Sequence, residues 1–314
     1  MINLCIKSLR HFVKKVLSYN QMKILITGAN GMLGEECTNL LSGLHQVIAC
    51  DLQERLLFSS PKVYEPLDIT NPIMVKEVIN RYQPDVVINC AAYTDVDGAE
   101  KNQQDAWNVN VKGVQHLVDS LTPIKGAIIQ ISTDYVFDGT VGPYNEQQIP
   151  QPINFYGKTK LASEKILQDS VLPWTILRTN VLFGNTTTQQ ASFVRWVIEK
   201  LRRFETIRVV NDQYGNPTWS YALANAIARV IETGKHGLYH YAGADYLNRF
   251  QFALKIAGIY ELDPTLIRSI TTRKLRQLAP RPFRAGLSCD KIARELQVKF
   301  YTIMEALTQM KGLN

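Results

Sequence analysis

The stretch KILITGANGMLG, residues 23–34, joins a short apolar strand to a glycine-rich turn and then to the start of a helix. Gly28, Gly31 and Gly34 have the spacing G-x-x-G-x-x-G, a variant of the pattern that binds dinucleotides. The first glycine permits a tight turn, the second lets the main chain approach a pyrophosphate, and the third lets the helix pack closely on the strand. Free N–H groups at the helix N-terminus favour phosphate. The stretch therefore predicts a nucleotide-binding loop.

Apolar strands and helices alternate after this loop. Further strands are predicted at 45–51, 63–70, 84–92 and 126–133. Helices are predicted between them, at 71–82 and 101–121. Continuous apolar strands separated by helices indicate a parallel sheet that is covered on both faces. Right-handed crossovers then give a doubly wound α/β fold, the Rossmann fold.

The alternation loosens after about residue 140. This change predicts a dinucleotide-binding domain at 22–150 and a second, smaller mixed α/β domain for substrate at 151–314. Two later segments, 174–184 and 205–235, have strand and helix patterns that are expected to return to the first domain.

The net charge of +7 is distributed in a way that argues against a nucleic-acid-binding protein. Lys7, Arg10, Lys14 and Lys15 lie in residues 1–21, which contain no acid, so the rest of the chain carries +3. Apolar residues recur in this segment at helical spacing, as in a presequence or a membrane-surface helix. The alternative is a disordered or loosely docked extension, translated upstream of a natural start at Met22.

Composition favours a globular protein of the cytoplasm. No apolar run approaches the roughly 20 residues that a membrane span needs. The five cysteines, at 5, 37, 50, 90 and 289, form no C-x-x-C pair, which favours a reducing compartment. The carboxylates Asp95, Asp97 and Glu100 lie at a predicted helix start, where acids suit the helix dipole, so no metal site is predicted.

Two acids are candidates for contacts to a dinucleotide. Asp51 ends the second predicted strand, where a carboxylate can bind both ribose hydroxyls of adenosine. This favours NADH over NADPH, although Arg55 lies nearby. Asp68 follows the third strand and is placed to meet the adenine edge. Its alternative role is to cap the helix that begins near residue 72.

The candidate reacting groups come from two segments. Ser132 and Thr133 end the fifth predicted strand, at the sheet edge where ligands bind. Tyr156 and Lys160 follow in a helix predicted from about Asn154 to Asp169, one turn apart on the same face. Tyr19 and Lys23 repeat this spacing, but they lie ahead of the first strand and have no strand-end hydroxyl before them.

These groups suit the reduction of a ketone, which needs a hydride on carbon and a proton on oxygen. A free tyrosine titrates near about pH 10, and a lysine ammonium beside it is expected to lower that pKa. The same ammonium can hydrogen-bond a nicotinamide ribose. A threonine hydroxyl can hold the carbonyl as negative charge develops on its oxygen.

Five motifs together carry a family resemblance: the glycine loop, AAYTDVDGAE (91–100), STDYVFDG (132–139), YGKTKLASEK (156–165) and NDQYGNPT (211–218). The chain resembles the extended short-chain dehydrogenase/reductase superfamily, and within it the dTDP-4-dehydrorhamnose reductase family, over roughly residues 22–310. That family reduces the 4-keto group of dTDP-4-dehydro-6-deoxy-L-mannose to give dTDP-L-rhamnose for bacterial surface polysaccharides such as lipopolysaccharide O-antigen. The resemblance implies NADPH or NADH as cofactor, a nucleotide-sugar substrate and a possible homodimer.

The resemblance also implies roles for individual residues. The catalytic residues would be Thr133, Tyr156 and Lys160. The cofactor would be bound by Gly28, Asn30, Gly31, Met32, Leu33, Gly34, Asp51, Asp68, Ile69, Ala91, Ala92, Tyr93, Thr94, Tyr156 and Lys160. The substrate would be bound by Thr94, Val96, Thr133, Asp134, Val181, Asn211, Gln213 and Tyr214.

One departure from the family pattern concerns the substrate. Val181, in RTNVLFG (178–184), stands where relatives carry a tryptophan, so an aromatic stacking partner is lost. A reductase or epimerase of another nucleotide sugar is therefore an alternative. A further alternative is a non-catalytic protein that resembles the regulatory subunit of methionine adenosyltransferase, which keeps the nucleotide fold and binds an enzyme.

Overall fold

The computed structural model describes residues 21–60, 63–185 and 192–312. Residues 1–20 of the predicted extension at 1–21, including Tyr19, therefore lie outside the described residues. None of the helices in the described ranges combines the length and the hydropathy that a membrane crossing needs.

A seven-stranded sheet forms the centre of the described chain, and each neighbouring pair of its strands is parallel. The strands of the protein, in chain order, are β1 (Lys23–Thr27), β2 (Gln46–Asp51), β3 (Val63–Pro66), β4 (Val86–Asn89), β5 (Ala127–Thr133), β6 (Trp174–Thr179), β7 (Leu182–Phe183), β8 (Ile207–Val210), β9 (Tyr214–Gly215), β10 (Thr218–Trp219), β11 (Gly237–His240), β12 (Leu247–Asn248) and β13 (Ile267–Ile270). The order across the sheet is β11-β6-β5-β4-β1-β2-β3. The direction of winding reverses between β1 and β4, which opens a crevice at the carboxyl ends of those strands.

Helices cover both faces of this sheet. The α-helices of the described ranges, in chain order, are α1 (Met32–Leu41), α2 (Pro72–Tyr82), α3 (Val96–Lys101), α4 (Gln103–Trp107), α5 (Gly113–Leu121), α6 (Phe155–Gln168), α7 (Phe193–Arg202), α8 (Ser220–Thr233), α9 (Arg249–Ile259), α10 (Thr272–Leu275), α11 (Asp290–Leu296) and α12 (Ile303–Gly312). Short 3-10 turns occur at Thr122–Ile124, Asp134–Val136 and Pro264–Leu266, and a π turn at Asn108–Lys112.

The alternation of side chains along β1 explains the two layers. Ile24 and Ile26 point into one apolar cluster, which α1 and α8 cover, while Leu25 points into a second cluster, under α2 and α5. All three side chains are fully buried. A strand that is apolar on both faces is stable only when both faces are covered. The predicted doubly wound parallel sheet is confirmed.

Three predicted elements differ from those observed. Strand β4 ends at Asn89 rather than at residue 92, because the chain leaves the sheet there and runs along the crevice. The single helix predicted at 101–121 is instead a series of shorter helices joined through the π turn. The strand predicted at 174–184 divides at Asn180 and Val181, where Val181 has a positive φ of 27° that no regular strand accommodates.

The two later segments, 174–184 and 205–235, take different places relative to the main sheet. Strand β6 pairs with β5 in the main sheet, and α8 packs in the same apolar cluster as α1. Strand β8 pairs with β13 in a small separate sheet, and its Ile207 and Val209 lie in the same apolar cluster as Ile24 and Ile26 of β1. In the main sheet, β11 occupies the position beside β6.

Candidate active site

A cavity of about 1100 Å³ runs along the carboxyl ends of the central strands. It begins at the glycine loop and ends at Tyr156 and Lys160. Every residue predicted to bind the cofactor lines it: Gly28, Asn30, Gly31, Met32, Leu33, Gly34, Asp51, Asp68, Ile69, Ala91, Ala92, Tyr93, Thr94, Tyr156 and Lys160. The same cavity is also lined by Val96, Thr133, Asp134 and Val181. The strand ends thus gather dispersed sequence positions into one elongated site.

The glycine loop has the close contacts that its sequence predicts. Gly28 has a φ of +65°, and a Cβ there would lie 2.7 Å from the backbone nitrogen of Ala91. A Cβ at Gly34 would lie 2.1 Å from the carbonyl oxygen of Gly28. Gly31 caps α1 without a side-chain hydrogen bond, so N–H groups of the first turn remain available to an anion. The loop fits a pyrophosphate.

Asp51 holds the glycine loop as well as facing the cavity. Its carboxylate accepts hydrogen bonds from the backbone N–H groups of Asn30 (2.9 Å) and Gln53 (3.3 Å). The Asn30 side chain donates to the Arg55 carbonyl oxygen (3.1 Å) and accepts from the Leu57 N–H (3.0 Å). Arg55 therefore contributes its main chain to the loop, and Asp51 is part of the loop's own structure.

Asp68 does not cap the following helix. Its carboxylate accepts from the N–H and the hydroxyl of Thr70, each at 2.8 Å. Asn71 caps α2 instead, accepting from the N–H groups of Ile73 (3.0 Å) and Met74 (3.3 Å). The capping alternative for Asp68 is wrong, because the side chain one residue before the helix has the required geometry. Asp68 is left facing the cavity.

The segment after β4 is fixed by the π turn. Asn110, in that turn, accepts from the Tyr93 N–H (2.8 Å) and donates to the Tyr93 carbonyl oxygen (3.1 Å). It also donates to the hydroxyl of Thr159 in α6 (2.9 Å). One buried amide therefore ties the cofactor side of the cavity to the helix of Tyr156 and Lys160. π turns often occur at functional sites.

The three neighbouring carboxylates of 95–100 have separate structural partners. Asp95 caps α3 by accepting from the Gly98 N–H (2.9 Å). Asp97 pairs with Arg281 (3.0 Å), and Glu100 accepts from the N–H of Phe155 (2.8 Å). Asp97 and Glu100 thus join α3 to distant segments, whereas Asp95 stabilises the start of α3 itself.

The candidate catalytic groups meet where β5 ends and α6 begins. Thr133 is the last residue of β5, and its hydroxyl donates to Asp134 (3.0 Å) and accepts from the Tyr135 N–H (3.2 Å). Asn154 caps α6 by accepting from the Gly157 N–H (2.8 Å), so Tyr156 lies in the first turn and Lys160 one turn later. Lys160 is only 3% exposed.

Burial dominates the electrostatics of this cluster. It raises the pKa of Tyr156 well above the usual range, and the nearby Asp134 and Tyr135 add to the rise. Burial lowers the pKa of Lys160 to about 8, and Glu164 opposes this effect. The pKa of Tyr156 is therefore raised rather than lowered in this cavity, because desolvation is the largest influence on it. A neutral phenol is the form that donates a proton.

Asp134 is a buried carboxyl between the two halves of the site. Burial raises its pKa to about 7, while hydrogen bonding from Thr133 and the charge of Arg249 oppose the rise. The Asn180 amide donates to its second oxygen. The other polar atom of that amide, Asn180 Oδ1, is buried and has no hydrogen-bond partner among the described residues. A ligand donor would satisfy it.

A narrow second cavity continues from Asp134. Its walls come from short segments far apart in the chain, namely Asp134, Tyr135, Asn180, Val181, Gln213, Tyr214, Gly215, Pro217, Leu247, Asn248, Arg249, Pro282 and Ala285. Gln213 donates to Thr272 (2.9 Å) and Gln277 (2.7 Å). Tyr214 stacks on Tyr246, with ring centroids 5.9 Å apart. Gln213 and Tyr214 thus line this second cavity.

Asn211 is not brought to either cavity. Its side chain is exposed, and its N–H donates to the Ile270 carbonyl oxygen (3.0 Å) as the small β8–β13 sheet ends. The motif NDQYGNPT therefore divides, with its first residue serving local structure and Gln213, Tyr214 and Gly215 lining the second cavity.

A family model, described as the RmlD substrate binding domain, matches residues 22–312. The chain belongs to this family. A dTDP-4-dehydrorhamnose reductase of Aggregatibacter actinomycetemcomitans is 36% identical over 305 residues, which cover 92% of this chain and 98% of the relative. A dTDP-4-keto-6-deoxy-D-glucose reductase of Streptomyces niveus is 33% identical over 290 residues, covering 91% and 95%.

A solved relative has the same fold. The crystal structure of dTDP-4-dehydrorhamnose reductase from Bacillus anthracis str. Ames, in complex with NADP, superposes with a TM-score of 0.86 at 29% identity. The match covers 94% of this chain and 100% of that one. The resemblance to the dTDP-4-dehydrorhamnose reductase family that the motifs indicated is confirmed.

The sequence did not reveal one prominent residue of this RmlD-family site. Arg249 is the first residue of α9, lines both cavities and hydrogen-bonds Tyr135. Burial lowers its pKa, and its guanidinium lies 5.4 Å from the centre of the Phe193 ring. The pattern NRFQ at 248–251 forms a capping box, which marks a helix start but not the direction in which that helix points.

Proposed function

We propose that the chain reduces the 4-keto group of dTDP-4-dehydro-6-deoxy-L-mannose to give dTDP-L-rhamnose, using NADPH or NADH. The observation that carries this proposal is the convergence of Thr133, Tyr156 and Lys160 at the end of a cavity that begins at the glycine loop. Relatives that are similar over nearly the whole chain are named as reductases of dTDP-linked keto sugars.

The cofactor is held mainly by main chain. The N–H groups at the start of α1 bind the pyrophosphate, and Asp51 and Asp68 face the adenosine end. Lys160, which lines the same cavity, would donate a hydrogen bond to the nicotinamide ribose. When it is bound, the reduced nicotinamide supplies the hydride.

Three side chains handle the carbonyl. The Thr133 hydroxyl, now directed at Asp134, turns to donate to the substrate C4 oxygen. Tyr156 transfers its proton to that oxygen as negative charge develops there. The raised pKa of Tyr156 keeps the phenol protonated until the carbonyl becomes basic enough to take the proton. The charge of Lys160 then stabilises the tyrosinate that remains.

The nucleotide part of the substrate extends from the large cavity towards the residues that line the narrow second cavity. Arg249 suits the diphosphate, because a guanidinium in a partly desolvated site binds phosphate oxygens strongly. The unsatisfied Asn180 Oδ1 accepts a hydroxyl or an N–H of the substrate. Tyr214 offers an aromatic face that compensates for the stacking partner lost at Val181.

Some features of the site favour NADH, and others favour NADPH. Asp51 places a negative charge where a 2′-phosphate would lie, which favours NADH. Two backbone N–H groups already hydrogen-bond that carboxylate, and a similar protein binds NADP, which together favour use of NADPH as well. We therefore expect both cofactors to be accepted.

A reductase of a stereoisomeric dTDP-4-keto-6-deoxysugar is the second candidate, because Val181 replaces the family tryptophan and the Streptomyces niveus relative has such a name. The non-catalytic alternative has weaker support, because all three catalytic groups line one open cavity. A cytoplasmic location and a homodimer are further parts of the proposal, and light scattering of the purified protein tests the dimer.

The deciding experiment measures oxidation of NADPH and NADH with dTDP-4-dehydrorhamnose, and in parallel with dTDP-4-keto-6-deoxy-D-glucose. Turnover of the first substrate with product identified as dTDP-L-rhamnose supports the proposal. Failure to oxidise either cofactor with this substrate contradicts it, and turnover of only the second substrate selects the second candidate.

A further inference from the structure

Behind Lys160 lies a buried ion pair that the mechanism above does not use. Glu164 is one helical turn after Lys160 in α6 and is fully buried. Its Oε2 accepts from Arg178 Nη2 (2.6 Å), and its Oε1 accepts from Arg178 Nε (2.9 Å). Arg178 lies in β6 and is 2% exposed. The contact is a bidentate pair in a site without access to bulk water.

The same carboxylate also holds the end of β5. The Ser132 hydroxyl donates to Glu164 Oε1 at 2.5 Å. Ser132 immediately precedes Thr133, whereas Glu164 belongs to the helix that carries Tyr156 and Lys160. One side chain therefore connects the two elements that supply the candidate catalytic groups.

The surroundings of the pair leave few charges to consider. The Arg178 guanidinium lies 5.1 Å from the centre of the Phe137 ring, and its Nη1 is 3.4 Å from His240 Nε2. Burial, and then the charge of Arg178, lower the pKa of His240 to about 3, so this ring is neutral. The charged groups are Lys160, Glu164 and Arg178, together with Glu146, which accepts from the His240 N–H (2.9 Å), and Lys291, whose charge acts on His240.

We propose that Glu164 is a positioning residue for the reduction, which keeps Lys160 charged at its buried position in the site and fixes Thr133 through Ser132. The inference rests on the function proposed above. A buried ion pair is not in itself favourable, since an apolar pair of similar volume is often as stable. A carboxylate next to a desolvated catalytic ammonium has an effect that an apolar side chain cannot supply.

The proposed effect of Glu164 is to keep the Lys160 side chain positively charged. Burial lowers its pKa to about 8, and Glu164 is the largest opposing influence. The other groups that face it are the Cys90 thiol after β4 and the Tyr156 phenol on its own helix, with Arg178 behind Glu164. An ammonium is charged below its pKa, so a reaction that needs the charge weakens as pH rises through about 8.

The test is the substitution Glu164→Gln, which keeps the shape and removes the charge. We expect the alkaline limb of the kcat/KM profile to move to lower pH by about one unit or more, because a stabilising charge is lost and Arg178 becomes unbalanced. Profiles are recorded from about pH 6 to about pH 10, around the usual pKa of the groups involved. Glu199→Gln, which breaks an exposed pair with Arg195 in α7, is the matched control and keeps the wild-type limb.

A second variant tests the proposal if the single variant does not fold, because it leaves no unpaired charge from the buried ion pair. Glu164→Gln combined with Arg178→Gln removes both buried charges, and its alkaline limb should lie between those of the wild type and the single variant. A folded variant whose rate falls while its alkaline limb stays at the wild-type pH would overturn the proposal, because a purely structural role predicts that result.

NADPH binding separates this proposal from the proposed function. Titration of NADPH fluorescence against pH reports the charge of Lys160 without any substrate. If the wild type fails to reduce the sugar but Glu164→Gln moves the pH dependence of NADPH affinity downwards, the role of Glu164 stands and the proposed function fails. If folded Glu164→Gln has the same pH dependence of NADPH affinity as the wild type, the proposed role of Glu164 is contradicted.

Discussion

The two halves of the site are built in different ways. The cofactor half is lined by the ends of β1, β2, β4 and β5 and by the loops that follow these strands, with Tyr156 and Lys160 of α6 at its inner end. The substrate half takes its walls from segments between Asp134 and Ala285, joined through short strands and side-chain hydrogen bonds. The first is a local motif in a rigid sheet, and the second is a product of long-range packing. Substitutions should therefore affect the two halves separately.

The largest effect should come from the point where the halves meet. Tyr156→Phe removes the proton donor and should lower kcat by about 100-fold to 10,000-fold, the usual range for loss of a general acid. NADPH should still bind, because the cavity keeps its shape. Steady-state rates and fluorescence titration of NADPH check this, and a rate within a few-fold of wild type would exclude Tyr156 as the donor.

The next largest effect should come from a substitution in the glycine loop, which disturbs only the cofactor half. Gly34→Ala places a Cβ 2.1 Å from the Gly28 carbonyl oxygen, so α1 must move away from β1. We expect a loss of about 1–3 kcal/mol in the free energy of unfolding, as for other overpacked sites, together with weaker NADPH binding.

Gly43→Ala provides the control for that change. A Cβ at Gly43 meets nothing within 4 Å, so its stability and cofactor affinity should stay near those of the wild type. Denaturant unfolding and NADPH titration of both variants make the comparison. Equal stability of the two would mean that the third glycine is not needed for packing.

A smaller effect should be confined to the substrate half. Arg249→Gln should raise KM for the nucleotide sugar by roughly 10-fold to 100-fold, the value of one or two hydrogen bonds to a charged group. The dissociation constant of NADPH should change much less, even though Arg249 reaches the edge of the cofactor cavity. Calorimetry with dTDP and with NADPH separates the two, and an equal loss for both ligands would assign Arg249 to the fold rather than to the substrate.

The smallest effect concerns Val181, whose φ of 27° is unusual for a β-branched residue. Val181→Asn should raise the free energy of unfolding by about 1 kcal/mol, because asparagine tolerates the left-handed region better. Thermal unfolding measures this change. A lower melting temperature would show that the apolar contacts of the valine outweigh its backbone strain.

The determinants of the cofactor half are local, so the sequence alone could place them along one sheet edge. Gly28, Gly31 and Gly34 follow an apolar strand at a fixed spacing, and the strand end at Thr133 and the helix start at Asn154 have patterns that can be recognised one element at a time. Parallel strands then bring their carboxyl ends to one edge, which places distant residues such as Asp51 and Lys160 on the same cavity.

The sequence by itself determined the doubly wound sheet, the glycine loop and the Tyr156–Lys160 pair, since short-range periodicity and spacing specify them. Only the tertiary structure decided that Asn71 rather than Asp68 caps α2, that β8 leaves the main sheet, and that Arg249 points into the site while Asn211 does not. It also decided the charge balance, because the pKa of Tyr156 and of Lys160 depends on desolvation. Burial and the direction of a side chain arise from contacts between residues far apart in the chain, and no local pattern encodes them.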